Sequence, residues 1–158
     1  MRQWLGLVAR LVTGGVWIYA GAVKLPDPYA SVQAVRAYEL LPASAAEAVG
    51  YLLPPLEIVV GLALVLGLLT RGAAAVSAVL FVVFIIGIAS VWARGMEIDC
   101  GCFGGGGYDP DAQSSYPWEI ARDAALLLAS LYLVWLRRSR LALDDLLFRR
   151  TTSPTHEG

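Results

Sequence analysis

The feature that most restricts the fold of this chain is the uncharged run from Gly72 to Trp92. About 20 consecutive apolar residues in a helix cross the hydrocarbon core of a bilayer, and this run has that length. Backbone amides stay paired in lipid only within helices or closed barrels, so the run predicts a transmembrane helix. The composition agrees, since 58% of the residues are hydrophobic, 16% are charged and the mean hydropathy is +0.63. We therefore expect a protein that resides in a lipid bilayer and has no nucleic-acid partner.

Three further apolar runs predict an all-α membrane protein, a bundle of four transmembrane helices with an extracytoplasmic loop that contains the cysteines. The predicted spans are residues 5–23, 49–69, 72–92 and 118–136. The connection between the second and third spans is so short that these two must form an antiparallel hairpin. Residues 1–140 then form the transmembrane domain, and residues 141–158 form a short, partly disordered cytoplasmic tail.

Two segments allow more than one interpretation. The first run resembles a signal peptide, because Arg2 precedes it and Ala20-Gly21-Ala22 has the small residues of a cleavage site, whereas Arg10 favours a retained helix. The proline-bounded segment 24–48 mixes apolar and polar residues. That pattern predicts either a short amphipathic helix on the membrane surface or an ordinary capping loop.

Basic residues predict the orientation of the bundle, because they collect on the cytoplasmic side of membrane proteins. In a four-span topology the N-terminus, the Arg71 turn and the tail fall on one side. The C-terminal end of the chain, from residue 137 onward, carries Arg137, Arg138, Arg140, Arg149 and Arg150. We therefore expect a multi-pass protein of a bacterial-type plasma membrane, with both termini in the cytoplasm and segments 24–48 and 93–117 outside it.

Both cysteines of the chain lie in the second of these outer segments, in the sequence Cys100-Gly101-Cys102-Phe103-Gly104. A disulfide across one glycine closes a small ring, which stabilises the folded state little and is strained enough to be reducible. The spacing favours a redox-active pair, Cys100 and Cys102, that exchanges disulfides on the side where they persist. A structural staple and a two-sulfur copper(I) site are the alternatives.

The residues around the pair predict its setting. Phe103 could shield the sulfurs or pack on a partner, and the glycines from Gly104 onward leave the backbone free to move. The one histidine, His156, excludes a histidine-based metal site and a Ser-His-Asp triad, and we predict no metal ligands elsewhere.

A carboxylate inside a transmembrane helix is costly and marks either function or a buried partner, and Glu57 lies inside the second span. Counted along the helices, Lys24 and Arg122 lie at a comparable depth. We predict a polar cluster of these three residues beneath the cysteines, with Asp123 as the local counter-charge of Arg122. Such a cluster either locks the helices together or shuttles protons for the disulfide chemistry above it.

The order of these motifs resembles that of the DoxX/MauE family of small four-helix membrane proteins, over nearly the whole chain. The likeness is carried by Gly21-Ala22-Val23-Lys24-Leu25, Leu56-Glu57-Ile58-Val59-Val60-Gly61, Leu68-Leu69-Thr70-Arg71, the Cys100-Gly101-Cys102-Phe103-Gly104 loop and Arg122-Asp123. The cysteine motif points to the MauE-like branch. The resemblance implies extracytoplasmic thiol–disulfide exchange with a thioredoxin-like partner, in support of disulfide formation in another protein.

The bundle also resembles that of vitamin K epoxide reductase and the DsbB-type oxidoreductases, in which a quinone takes up the electrons. Those enzymes use two cysteine pairs, whereas this chain has only Cys100 and Cys102, so a quinone is a suggested cofactor whose binding stays open. The alternative function from another class is a non-catalytic membrane scaffold or chaperone for a redox or copper-carrying partner. In that case the cysteines are a staple or a copper(I) ligand.

Overall fold

The computed structural model describes residues 2–136, within which there are five helices and one small hairpin. In chain order the elements are α1 (Arg2–Lys24), α2 (Pro28–Ala37), α3 (Ala43–Leu66), α4 (Thr70–Ala93), β1 (Ile98–Asp99), β2 (Gly107–Tyr108) and α5 (Ala112–Trp135). The four long helices form a bundle, and α2 and the antiparallel β1–β2 hairpin lie together at one end of it. The predicted tail and its arginines lie outside the described residues.

Three helices in the described part of the chain are long and apolar enough to cross a membrane, namely Trp4–Lys24, Ala43–Leu66 and Thr70–Ala93. They correspond to the first three predicted spans. Helix α5 is also 24 residues long. However, every 18-residue stretch within it contains Glu119, Arg122 and Asp123, which makes it more polar than the other three. A fourth crossing through α5 therefore stays a prediction.

The helix ends differ from the predicted span ends for local reasons. Helix α3 begins directly after Pro42 and ends at Leu66, where Gly67 adopts a left-handed φ of 72° and its N–H bonds back to carbonyls of the last turn. Glycine at this position ends many helices. Helix α5 begins at Ala112, six residues before the predicted span, so the loop after α4 is shorter than predicted and contains the hairpin.

The segment 24–48 contains a helix, α2, rather than an ordinary loop. The Asp27 side chain accepts the backbone N–H of Ala30 at 3.0 Å, and Pro28 occupies the first helical position, two features that start helices. Helix α2 packs tightly on α3 because Gly50 has no side chain. A Cβ there would lie only 2.5 Å from the Cα of Val32. This contact fixes α2 across the end of the bundle.

Helices α1 and α3 approach each other through a pair of facing glycines. A Cβ on Gly14 would lie 2.8 Å from the carbonyl oxygen of Gly61, and a Cβ on Gly61 would lie 2.7 Å from that of Gly14. Small residues at helix interfaces allow such close backbone contact in membrane bundles. The close approach brings Lys24 of α1 within reach of Glu57 of α3.

Hydrogen bonds between buried side chains tie α5 to the other long helices. The indole N–H of Trp17 donates to Ser77 Oγ at 2.7 Å, and Ser77 Oγ lies 2.9 Å from Ser130 Oγ. All three side chains are buried, and the Trp17 ring also packs on Phe81, with 4.6 Å between ring centroids. These bonds satisfy polar groups where lipid offers no partner. They join α1, α4 and α5 in one core.

Candidate functional site

The cysteine loop connects β1 to β2 and is held at its base by α5. The hydroxyl of Tyr116 donates to the carbonyl oxygen of Ile98 at 2.8 Å and accepts the N–H of the same residue at 3.2 Å. Because Tyr116 is buried, this contact anchors the first strand firmly to the start of α5. The loop is therefore carried on α5 and not on the hairpin alone.

The loop packs its backbone directly against the neighbouring helices. Gly101 has a φ of 64°, and a Cβ there would lie 2.7 Å from the Cβ of Ala34 on α2. Gly104 has a φ of 84°, and a Cβ there would lie 2.6 Å from Cγ1 of Val23 on α1. Only glycine combines the left-handed backbone with so little space. Both glycines are sites of close contact, and at Gly104 this contrasts with the free backbone movement expected from the sequence for the glycines from that position onward.

The two cysteines lie side by side and are buried, with 9% of Cys100 and 6% of Cys102 exposed. The N–H of Cys102 donates to Cys100 Sγ at 3.4 Å, and Cys102 Sγ lies 3.9 Å from the carbonyl oxygen of Cys100. Asp99 supports the turn, since its Oδ1 accepts the N–H of Gly101 at 2.7 Å. The turn thus places Cys100 Sγ next to the backbone N–H of Cys102.

Glu119 of α5 contacts the pair, although the predicted site does not include it. The Cys100 thiol donates to Glu119 Oε1 over 3.3 Å. Glu119 is half-buried and lies one helical turn before Arg122, so the two side chains share a face of α5. That three-residue spacing is the sequence signal that could have brought Glu119 into the predicted site.

Tyr38, at the end of α2, is a second site residue absent from the prediction. Its hydroxyl donates to the carbonyl oxygen of Cys100 at 2.8 Å, and its ring packs on Gly87 of α4. Burial, with a smaller contribution from the charges of the two cysteines, raises the pKa of Tyr38, so the hydroxyl stays a neutral donor. The Arg94 guanidinium donates to the Tyr38 carbonyl. Tyr38 therefore joins the loop to α2 and α4.

The predicted cluster of Lys24, Glu57 and Arg122 consists of two separate ion pairs. Lys24 Nζ lies 2.7 Å from Glu57 Oε1, and the two side chains are 4% and 0% exposed. Arg122 pairs instead with the adjacent Asp123, whose Oδ1 accepts two N–H bonds of 3.0 Å. The structure thus joins Lys24 to Glu57 and gives Arg122 the local counter-charge that the sequence suggested.

Phe103 links the cysteine loop to two of the long helices. The Arg122 guanidinium carbon lies 4.5 Å from the centre of the Phe103 ring, within the range of a cation–π contact. The ring of Tyr19 on α1 lies 5.7 Å from the same ring, measured between centroids. Phe103 is half-buried, so its ring covers the polar groups of α5 next to the cysteines.

The pKa of the Cys102 thiol lies well above the ordinary value for a cysteine. A hydrogen bond with the Cys100 side chain is the largest cause, and burial is the second. The negative charges of Cys100 and Asp123 raise it further, and only Lys24 acts in the opposite direction. Cys102 therefore stays protonated at neutral pH. Only the deprotonated thiolate of a cysteine attacks a disulfide.

We expect Cys102 of the reduced, folded protein to react slowly with iodoacetamide until the pH exceeds the ordinary cysteine range, about 8.5. The free energy of unfolding should fall as the pH rises above that value, because the unfolded chain releases this proton first. Mass spectrometry of digested protein gives the Cys102 alkylation rate, with SDS-unfolded protein as the control. Equal Cys102 alkylation rates in folded and SDS-unfolded protein at about pH 8 would contradict the raised pKa.

A small cavity lies between α2 and the cysteine loop. Its volume is about 50 Å³, and its wall includes Lys24, Tyr38, Phe84 and both cysteines. Sites for organic ligands usually enclose about 300–1,000 Å³, whereas a water molecule needs about 10–15 Å³. This cavity therefore has room for a few water molecules beside the sulfurs.

Comparison with known proteins identifies one family. The family model described as "Methylamine utilisation protein MauE" matches residues 2–136. The match begins with α1 and ends just after α5, so it includes all five helices of the described residues and the whole cysteine loop. No curated protein and no solved structure matches the chain.

Proposed function

Because the chain belongs to the MauE family, as its motifs predict, we propose that it is a membrane thiol–disulfide redox protein. The observation that carries the proposal is the position of two adjacent cysteines, one of which donates its thiol to a carboxylate. The Cys102 amide lies 3.4 Å from Cys100 Sγ, and Glu119 Oε1 lies 3.3 Å from the same sulfur. Two adjacent sulfurs with an acceptor for a thiol proton provide what disulfide exchange requires.

In the proposed exchange, one cysteine thiolate attacks a disulfide of the partner, forms a mixed disulfide and releases the other partner sulfur as a thiolate. The second cysteine then attacks the mixed disulfide, which closes the Cys100–Cys102 bond and releases the partner as a dithiol. Two electrons and two protons pass from this chain to the partner, and the reverse sequence oxidises the partner. A thioredoxin-like protein is the proposed partner, since its Cys-x-x-Cys pair reacts by the same steps.

We further propose that α5 is a fourth crossing and that the cysteine loop faces the outside of a bacterial-type plasma membrane. Helix α5 carries the loop at one end, and at its other end Arg71 Nε donates to the carbonyl oxygen of Val134 at 3.1 Å. The arginine-rich sequence after Leu136 therefore continues from the Arg71 end. The positive-inside rule favours a cytoplasmic location for that end, and disulfide exchange is favoured on the opposite side.

The family description refers to methylamine utilisation. We propose that, in that setting, this chain acts in the maturation of a cysteine-containing protein outside the membrane, with which it exchanges disulfides. The membrane bundle would keep the cysteine pair at the surface where such a protein emerges.

The burial of both sulfurs favours a second candidate, a scaffold in which the cysteines form a staple or bind copper(I). A staple needs no access to a partner. Within residues 2–136 no group of three histidine, cysteine, aspartate or glutamate side chains is placed to hold a metal ion, so a copper site would be built on the two sulfurs.

A redox titration separates exchange from a staple. We expect the pair to titrate at about −120 to −270 mV, the range of known exchange proteins, because a ring across one glycine is strained. The protein in detergent micelles is equilibrated in glutathione and dithiothreitol buffers of known potential and then alkylated. Mass spectrometry gives the number of free thiols. Cys100→Ser is the control, since it lacks the second thiol. A pair that stays oxidised below about −300 mV, as structural disulfides do, would support the staple.

A further inference from the structure

We infer that Cys100 is the sulfur that opens and closes the exchange, and that Glu119 accepts and returns its proton. The inference rests on the proposed function and assigns the roles of the two sulfurs within it. Cys100 Sγ has the Glu119 carboxylate at 3.3 Å, whereas the contact of Cys102 Sγ is a carbonyl oxygen at 3.9 Å. A carbonyl oxygen cannot take up a proton at neutral pH.

The backbone next to Cys100 also offers its sulfur a hydrogen-bond donor, since the N–H of Cys102 points at Cys100 Sγ over 3.4 Å. The Arg122 guanidinium pairs with Asp123, lies on the same face of α5 as Glu119 and adds a positive charge close to the pair. Cys100 therefore has both a proton acceptor and a backbone donor at its sulfur.

Charged and titratable groups from each neighbouring element act on this site. They are Lys24 of α1, Tyr38 of α2, Asp99 of the loop, and Arg122 and Asp123 of α5. Because three carboxylates, Asp99, Glu119 and Asp123, and two cations surround the pair, a second negative charge on it would be only partly compensated. Like charges in a half-buried site disfavour one another, so we expect at most one of the two sulfurs to be charged at any step.

The proton transfer fits into the exchange without extra reactants. The Cys100 thiol passes its proton to the Glu119 carboxylate, and the thiolate attacks the partner disulfide, while the partner sulfur that leaves takes a proton from water. Cys102 then loses its proton to water and attacks Cys100 Sγ, which closes the disulfide and releases the second partner sulfur. This sulfur takes the proton that Glu119 holds, so the partner leaves as a dithiol and Glu119 is again a carboxylate. In reverse, the Cys100 thiolate leaves last and recovers the proton from Glu119.

The direction in which Glu119→Gln changes the reaction rate distinguishes a proton acceptor from a carboxylate that only lies nearby. A carboxylate that only lies beside a thiol disfavours the thiolate, so its removal would raise the thiolate fraction and speed the attack. A carboxylate that accepts the proton has the opposite effect, because its removal leaves the half-buried thiol without an acceptor.

The test uses Cys102→Ser protein in detergent micelles and glutathione disulfide as the probe, with mixed-disulfide formation at Cys100 followed by mass spectrometry. We expect Glu119→Gln to slow this reaction at least about tenfold at neutral pH, since a positioned proton-transfer group typically contributes about 10²–10⁴-fold. As the pH rises, the reaction rate of the Cys102→Ser parent should level off once the Glu119 carboxyl group is ionised. The reaction rate of the Glu119→Gln variant should keep rising with pH. Glu119→Asp should recover part of the rate.

Glu97→Gln is the matched control, since Glu97 lies in the segment before β1 and its carboxylate accepts from the exposed Tyr108 hydroxyl. It removes the same charge and should leave the rate unchanged. Circular dichroism checks that each variant is folded, and Glu119→Asp provides the comparison if the Gln variant is not.

Two results would overturn the inference. One is a Glu119→Gln rate equal to or above that of its parent, and the other is a faster reaction of Cys102 in Cys100→Ser protein than of Cys100 in Cys102→Ser protein. Either would leave the proposed function standing, because a cysteine would still form mixed disulfides. If neither single-cysteine protein reacts while folded, the proposed function fails as well.

Discussion

Disulfide exchange should be abolished by Cys100→Ser and by Cys102→Ser alike, while the helical bundle stays folded. One sulfur must carry the mixed disulfide and a second must resolve it, so the loss of either stops the reaction after at most one step. Serine is slightly smaller than cysteine, and its hydroxyl can donate where the Cys100 thiol donates to Glu119. We therefore expect little change in stability.

Turnover is measured as glutathione-driven oxidation of a soluble Cys-x-x-Cys protein of thioredoxin fold, followed by alkylation and mass spectrometry. Circular dichroism and membrane extraction report folding and insertion. Gln113→Ala is the matched control, because it removes an exposed hydrogen bond of 3.2 Å to Gly95 near the loop without touching the sulfurs. Full turnover in both serine variants would exclude the redox proposal and favour the scaffold.

Lys24→Met or Glu57→Met alone should lower the free energy of unfolding by about 3–5 kcal/mol, because each leaves the other charge buried without its partner. The Lys24 and Glu57 side chains are almost fully buried, 2.7 Å apart. The double variant should recover most of the loss, since two methionines fill a similar volume and leave no charge to desolvate.

Unfolding in mixed micelles of increasing SDS content, followed by circular dichroism, gives the four free energies of a double-mutant cycle. The Arg36–Glu47 pair is the matched control, because its side chains are 38% and 54% exposed and surface pairs contribute about 0–1 kcal/mol. Normal turnover in the stable double variant would assign the Lys24–Glu57 pair to helix locking. Lost turnover in that variant would favour proton movement. Single variants as stable as the parent would contradict a structural ion pair.

The membrane character of the chain could be predicted because crossing a bilayer depends on helix length and hydropathy, which a sequence states directly. Helix ends depend on local capping. Gly67 ends α3 earlier than the apolar run suggests. The start of α5 at Ala112 was missed because its first turns are polar and carry no apolar periodicity.

Depth along a helix could also be estimated from the sequence, and this is why Lys24 was expected near Glu57, where the structure has it. Depth does not specify the direction in which a side chain points. Arg122 was expected in the same cluster, yet it turns to its neighbour Asp123. Contacts between distant elements, such as those of Glu119 and Tyr38 with Cys100, have no counterpart in a linear pattern and required the folded structure.

The packing of α2 on the cysteine loop has a consequence for recognition. The Ala34 methyl group leaves no space at either Gly101 or Gly106, where a Cβ would lie 2.7 Å and 2.5 Å from it. If closing a bond between the two sulfurs moves Gly101 or Gly106 toward Ala34, α2 has to shift with it. The oxidation state of the buried pair would then be displayed at this end of the bundle as the position of α2. A partner could therefore distinguish the oxidised from the reduced protein before it reaches a sulfur.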